Sequence, residues 1–330
     1  MADVRGTNVK IIAVPESAYK TPGSSGELIY FTTFGLVPAQ QRAQSQTLAG
    51  FRGQARSTEE ARNVQGPIGY NIAPESVGLL LKHLIGAPTT TGAGTPYTHE
   101  FKPAASGANA LPIGLTFEQD FGTAIGGGSR YLRLKGCRFN SGTFTFGASG
   151  PQTLQLDAIG ADWEKHATSL DGSPTDNGHT EFTSTQLAVR VGTAGSPKSI
   201  CFNQLTLNWS NDLDTDKYCI GGGGVRNGLP EGFAIVGGSI TAFFDHTDVI
   251  DLLLSGADTE LLITLQRGTG AGTAGNEKLT IEVPNLVFAK TAPTVDGPRG
   301  LRVQANFSAH RTTGELGAKF TLLSPIATIT

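Results

Sequence analysis

Residues 66–86 read GPIGYNIAPESVGLLLKHLIG, and residues 236–256 read VGGSITAFFDHTDVIDLLLSG. Each is a small-residue turn and a short strand, followed by a start signal and one brief helix that ends at Gly. In the first, Pro74 suits an opening helical turn, and Val77, Leu80, Leu81 and Leu84 form one apolar stripe. In the second, Asp245 is the expected N-cap with Asp248 three residues on, and Ile250, Leu253, Leu254 and Ala257 form the stripe. One strand-and-helix unit therefore occurs twice, and nothing in either copy resembles a catalytic motif.

Working outward from this pair, the neighbouring stretches correspond as well. IYFTTFGL (29–36) matches ICFNQLTL (200–207) at an offset of 171, and the opening pair matches at 170. IGLTFEQ (113–119) matches LLITLQR (261–267) at 148. LRLKGCRF (132–139) with LTIEVPNL (279–286), and GPQTLQLDA (150–158) with GPRGLRVQA (297–305), both match at 147. The order is kept, and the fall from 170 to 148 assigns an additional loop or strand to residues 87–112. The matched strands alternate with period two: Leu154, Leu156 and Ala158 face one way, Gln155 and Asp157 the other, and Leu301, Val303 and Ala305 repeat this against Arg302 and Gln304. Such strands have one dry face and one wet or contact face.

Composition agrees with a β-rich chain. The 44 glycines among 330 residues are about 13%, nearly twice the usual ~7%, and have no collagen period. Net charge is −3, so there is no basic field of the kind that DNA binding relies on. Three cysteines without C-x-x-C spacing fit a reducing compartment. The N-terminus has no apolar leader and no run approaches a membrane span, so neither conventional secretion nor a membrane is expected.

Signatures of chemistry dissolve on inspection. GAGTAG (270–275) satisfies G-x-G-x-x-G but precedes the strand-like NEKLTIEV rather than a helix, so a hairpin loop is the expectation. GGGG (221–224) lacks the Lys-Ser or Lys-Thr of a phosphate loop and instead allows close backbone approach or loop movement. The six histidines form no metal-ligand spacing. His99–Glu100 and Asp245–His246 are neighbours that point to opposite faces of a strand. Carboxylates such as Glu118 and Asp120 lie two apart and could share one strand face as a hydrolase's paired acids would, but among 28 acidic residues such spacings arise by chance.

The early VPESAYKTPG, the QARSTEEAR that leads into the first strand–helix unit, then YTHEFKP and LTFEQD, resemble the major tail tube proteins of long, non-contractile (siphophage-type) bacteriophage tails. The resemblance runs from about Val9 to the last strands. It implies a β-sandwich with a flanking helix, and together with the internal correspondences the expectation is a mainly β fold of two tandem tail-tube-like β-sandwich or partial-barrel halves, each with a short flanking α-helix. The expected organisation is an N-terminal arm (1–27), a first domain (28–165), a linker (166–198) and a second domain with a C-terminal segment (199–330). Rings stacked around a lumen would pass DNA at ejection without specific binding. Two domains per chain predict a homotrimeric ring with pseudo-six-fold symmetry.

Partners implied by the resemblance are further copies of the chain and the tape-measure, terminator and distal tail proteins. Its place is the virion tail, assembled in the host cytoplasm. No cofactor and no enzymatic activity are implied. Expected inter-subunit contacts are Pro15, Glu16, Tyr19 and Pro22 in the arm, Ser57, Glu59 and Arg62 after the loop near Gly50, and the C-terminal LLSPIATIT. The residues alone leave other readings open: a tail terminator, baseplate hub or capsid decoration protein, a carbohydrate-binding sandwich, or an enzyme built on Glu118 and Asp120.

Overall fold

The computed structural model describes residues 3–47, 50, 52–103, 111–123, 125, 128–193, 195–244, 247–293, 295, 300–312 and 317–329. Strand β1 (Lys10–Ala18) folds back through β2 (Thr21–Pro22) and β3 (Glu27–Ile29). Then come β4 (Thr33–Phe34), β5 (Val37–Ala43), β6 (Thr58–Asn71), helix α1 (Val77–Ile85) and the hairpin of β7 (Thr89–Thr91) and β8 (Tyr97–Phe101). Strands β9 (Leu115–Asp120), β10 (Tyr131–Gly147), β11 (Thr153–Gly160) and β12 (Asp162–His166) follow. The remainder comprises β13 (Leu187–Gly192), β14 (Lys198–Ser199), β15 (Phe202–Ser210), β16 (Ile235–Phe243), α2 (Thr247–Ser255), β17 (Thr259–Gln266), β18 (Lys278–Phe288), β19 (Arg302–Ala309) and β20 (Lys319–Ser324).

The fold is mainly β, with both α-helices short. Every pairing between these strands is antiparallel. Along the first run the strands neighbour one another as β1–β9–β10–β11–β6–β5, with β12 beside the first part of β10. Along the second they run β13–β17–β18–β19–β16–β15, with β20 beside the first part of β18. Strand β10 also pairs with β15, which joins the two runs into one ladder. Tracing the described pairings from β5 returns to no earlier strand, so the sheet stays open.

The dry face of the ladder follows the alternation in the sequence. One rung passes from Tyr70 through Leu154, Phe144 and Leu207 to Gly238 and Phe307. Burying each large apolar side chain of this row contributes about 1.5–3 kcal/mol. Gly238 is required because a Cβ there would lie 2.7 Å from the Phe307 ring and closer still to Thr206 O. Leu84 of α1 similarly fills the space over Gly142.

Helix α1 is buried almost all round, beyond the single stripe that its pattern predicts. The C-terminal segment covers its other side: Ile329 packs over Gly78, and Lys82 Nζ donates to Ile329 O at 3.1 Å. Helix α2 buries Leu253 and leaves Leu254 exposed. Its expected N-cap, Asp245, and the neighbouring His246 lie outside the described residues, as do residues 297–299 of the GPRGLRVQA stretch.

Three expectations change in detail. IYFTTFGL does not form one strand. It leaves β3 and enters β4 and β5 on a different sheet, with Gly35 tucked against Pro67. Within the extra stretch near 87–112, residues 89–101 form the β7–β8 hairpin, and β8 pairs with β20 from the far end of the chain, while residues 104–110 lie outside the described residues. Residues 166–186 also run against the first run of strands: Leu28 N donates to Thr175 O, and Phe182 is buried between Ile72 and Gln152.

His83, inside α1, is buried and its Nε2 has no partner. Burial, then the nearby Lys82 and Arg138 charges, pushes its pKa down to about 3. The native ring therefore stays neutral as pH falls from the unfolded value near 6.5 toward 3, while the unfolded chain takes up a proton and stability is lost. Buried Glu27, raised to about 7 by desolvation, acts oppositely: its contribution is present below about 4.5 and lost as pH rises through 7. Urea unfolding of His83→Met beside the parent chain isolates the first effect. The variant gains stability relative to the parent as pH drops from 7.5 to 4.5, whereas a constant difference would contradict it.

Candidate assembly interface

The junction inside the chain shows what this molecule uses to join one sheet to the next. Residues 141–147 of β10 lie opposite 210–204 of β15, with Ser141 facing Ser210 and Gly147 facing Gln204. Behind the ladder, Trp209 Nε1 donates to Asn211 Oδ1 at 2.8 Å, and Asn211 Nδ2 donates to Leu84 O and Phe139 O. These bonds satisfy a buried indole and a buried amide at the seam, where an unpaired polar group would cost about 1–3 kcal/mol.

The connection from β15 to β16, residues 211–234, returns across the first run of strands. Arg226 is buried and donates to Gly160 O (2.7 Å), Thr215 O (2.7 Å) and Asn63 Oδ1 (3.1 Å), with its guanidinium 5.0 Å from the Tyr218 ring centroid. Arg138 Nη1 meets Glu231 at 2.7 Å and also donates to Leu229 O. Of the four glycines, Gly224 makes the close approach: Arg62 N donates to Gly224 O at 2.7 Å, while Gly221 and Gly223 stand in open space at positive φ.

The opposite face of the ladder is wet. One rung reads Asn71, Thr153, Thr145, Thr206, Ser239 and Asn306. The next reads Gly69, Gln155, Thr143, Asn208, Gly237 and Ser308. None of these is buried and none is ionisable. Flanking rungs add Asp157, bonded by Ser141 Oγ at 3.0 Å, and Arg302, stacked over Phe243. With Glu181 at the margin, bonded by Asn71 Nδ2 at 2.7 Å, and Arg42 paired with Glu59 on the outer ribbon, the middle of the face stays near neutral.

The residues that sequence alone singles out as contacts fall into two places. Pro15, Glu16, Tyr19 and Pro22 lie in a tight hairpin on the chain's own sheet, with Gly23 N donating to Pro15 O. Glu16 is buried and its carboxylate accepts from Lys20 N (2.8 Å), Thr116 Oγ1 (2.7 Å) and Gly136 N (2.7 Å). The Tyr19 hydroxyl has no partner, and burial, the leading influence, raises its pKa.

Ser57, Glu59 and Arg62 lie at the start of β6. Arg42 bonds Ser57 and Glu59 on the exposed ribbon, while Arg62 meets Asp162 at 2.8 Å and lies 5.1 Å from the Trp163 ring centroid. The C-terminal stretch packs home, with His99 Nε2 donating to Ile326 O at 2.8 Å. Residues 211–234, which bond across the first run of strands, are not legible in the sequence because Arg226 and Glu231 sit in a glycine-rich loop without periodicity.

The acids considered for catalysis are occupied. Glu118 is buried, pairs with Arg133 at 2.9 Å and accepts from Ser169 Oγ and Leu170 N. Asp120 pairs with Arg130 at 3.2 Å and accepts from Gly122 N. His99 also contacts Thr90 Oγ1 at 2.9 Å. Among the described residues no cluster of three His, Cys, Asp or Glu is placed to hold a metal, and no helix is long and apolar enough to cross a membrane. GAGTAG is a glycine turn between β17 and β18, with Gly270, Gly272 and Gly275 all at positive φ.

Replacing Glu16 with Ala removes one acceptor from three donors and strands the Gly136 N–H inside the protein. The expected loss is about 2–4 kcal/mol of unfolding free energy, measured by urea denaturation. A change below ~0.5 kcal/mol would mean that the hairpin is not fixed by this carboxylate.

A family profile described as Phage tail tube protein matches residues 6–309. No curated protein matches the chain.

Proposed function

The chain belongs to the phage tail tube protein family, with the match spanning residues 6–309, and from this membership we propose that it is the repeating subunit of a tube whose rings each hold three chains. Membership makes it a β-rich structural component of the virion tail that assembles with its own kind. The finer reading is that each chain carries two copies of one tube unit. The observation that carries it is the recurrence of one neighbour order: β1–β9–β10–β11–β6–β5 in the first run and β13–β17–β18–β19–β16–β15 in the second.

From β5 to β18 the joined ladder contains eight strands: β5, β6, β11, β10, β15, β16, β19 and β18. Three chains give about 24 strands. At ~4.8 Å spacing and ~45° tilt, these make a circumference of roughly 160 Å and a backbone diameter of about 50 Å. Side chains narrow that to about 40 Å, wider than a DNA duplex. The wet face of the ladder is the wall of this lumen, and its neutral Ser, Thr, Asn and Gln surface supports passage of DNA without the phosphate affinity that lysine and arginine would create. The subunit carries out no catalytic step. Its neighbours are the tape-measure, terminator and distal tail proteins, and assembly takes place in the host cytoplasm.

Negative-stain electron microscopy with a sizing column tests this directly. Hollow rings or tubes with three chains per ring are expected. Six chains per ring would end the two-unit reading, and a closed oligomer that never stacks would favour a terminator or hub. A second check addresses the lumen. Phage carrying Thr206→Lys with Ser239→Lys should assemble tails of normal length yet release DNA at least several-fold more slowly at low salt, with the defect easing as salt rises. Unchanged release at all salt concentrations would remove this face from the lumen.

A further inference from the structure

The two outer edges of the ladder are complementary, and we propose that β5 of one chain pairs antiparallel with residues 288–293, the continuation of β18, of a second copy, with Ala39 opposite Ala289 and Val37 opposite Thr291. This rests on the tail tube reading and specifies which backbone atoms close the ring.

The argument begins at the seam within the chain, where residues 141–147 of β10 meet β15. Strand β18 occupies in the second run the place that β10 occupies in the first, and β5 occupies the place of β15. The same seam is therefore left half-made at each end of the ladder. Beyond Phe288 the chain continues along β19, since Ala289 N donates to Asn306 O at 2.8 Å. Strand β5 pairs with β6 on one side and with no other described strand, and Val37 on its wet face is 53% exposed.

Backbone polarity agrees at both edges. Gly35 N donates to Pro67 O, so Gly35, Val37 and Ala39 turn their N–H and C=O groups toward β6, and Leu36, Pro38 and Gln40 turn theirs outward. Because Ala289 bonds toward β19, residues 288, 290 and 292 point outward. The internal seam has this same phase: Ala148 N donates to Asn203 O and Asn211 N to Asn140 O.

Side-chain faces agree independently. Val37 lies opposite Gln65 on the wet face, as Asn208 lies opposite Gly237. Ala289 lies beside Asn306 on that face, as Ser141 lies opposite Asp157. A shift of one residue would break both agreements, because it would turn outward-pointing polar groups away and reverse every side chain. Pro38 removes one outward donor, a device found on edges that must not pair indiscriminately. The contact is heterologous, so it closes into a ring only if the rotation per chain is an integral fraction of a turn.

The test is disulfide trapping in the full-length chain with Cys201 and Cys219 changed to Ser. Val37→Cys with Thr291→Cys places the thiols in a non-hydrogen-bonded pair of the proposed register, where Cβ separations suit a disulfide. Under mild oxidation of assembled material, a non-reducing gel should show a ladder that ends at the number of chains per ring. Val37→Cys with Ala292→Cys should trap at least tenfold less, because Ala292 points to the other face. Ala39→Cys with Ala289→Cys provides a second pair should the first variant fail to assemble. Rings seen by microscopy without a ladder from either in-register pair, or with equal trapping by the off-register pair, would overturn the proposed edges and leave the tail tube reading standing. Failure of the parent chain to form rings or tubes under any condition would instead remove that reading, and this inference with it.

Discussion

Strand β10 is the constraint on which the rest of the structure depends. Its first part lies between β9 and β12, and its second part lies between β11 and β15. One strand can serve two sheets only if it changes direction, and the change falls at a register shift between Leu134 and Cys137. Gly136 sits there at φ +68°, a conformation that glycine adopts without strain. A Cβ at that position would lie 3.0–3.1 Å from Ala161, Lys20 and Tyr19. The free N–H of the bulge is received by Glu16, so a carboxylate from the N-terminal hairpin sets the bend 120 residues away. The second run bends at the corresponding place in β18, where the shift against β17 spans Pro284. A residue without an N–H needs no carboxylate to receive one. The same corner is thus built by two different local chemistries.

The seam between the runs combines a non-directional part with a highly specific one. The β10–β15 ladder and the rings behind it, Trp209 against Phe320 and Phe320 against Phe144, supply cohesion. Arg138 and Arg226 supply registry. Each is held by backbone carbonyls in addition to a side chain, a geometry that few alternative placements of residues 211–234 would reproduce. The Arg138–Glu231 pair is half-buried and adds little net stability of its own, while buried Arg226 donates to the neutral oxygens of Thr215, Asn63 and Gly160. The loop is therefore better understood as fixing where the second run sits than as holding it on.

Much of this was legible in the sequence because it rests on periodicity. The alternation of Leu154, Leu156 and Ala158 marked both faces of β11, and Val77, Leu80, Leu81 and Leu84 marked α1. What was not legible depends on tertiary partners. The apolar IYFTTFGL reads as one strand because nothing local reveals that Gly35 meets Pro67 and that the chain changes sheets there. The hairpin at Pro15–Pro22 reads as an arm because proline and glycine mark an interruption equally well for an extended segment or a folded one. Its return onto the sheet depends on Glu16 finding Gly136. The pairing of β8 with β20 joins residues more than 200 apart, a separation that no window of sequence spans.

An open, strongly alternating sheet with two unpaired ends is an unstable proposition for a free monomer, because unpaired edges recruit any strand that fits. This chain does not cap its edges with a helix or charge them heavily. It carries Pro38 on the β5 edge, so that edge offers a row of donors with one gap. An interrupted row bonds well only to a partner with matching gaps, and the internal seam supplies the template for that match. The same arrangement explains why the wet face can be nearly free of charge. A monomer exposing such a face would gain solubility from charges there, whereas a face that becomes the inner wall of a closed assembly is shielded from other proteins once the ring forms. In the tube proposed above, neutrality is then compatible with solubility, and the restriction on charge would come from the DNA that slides past.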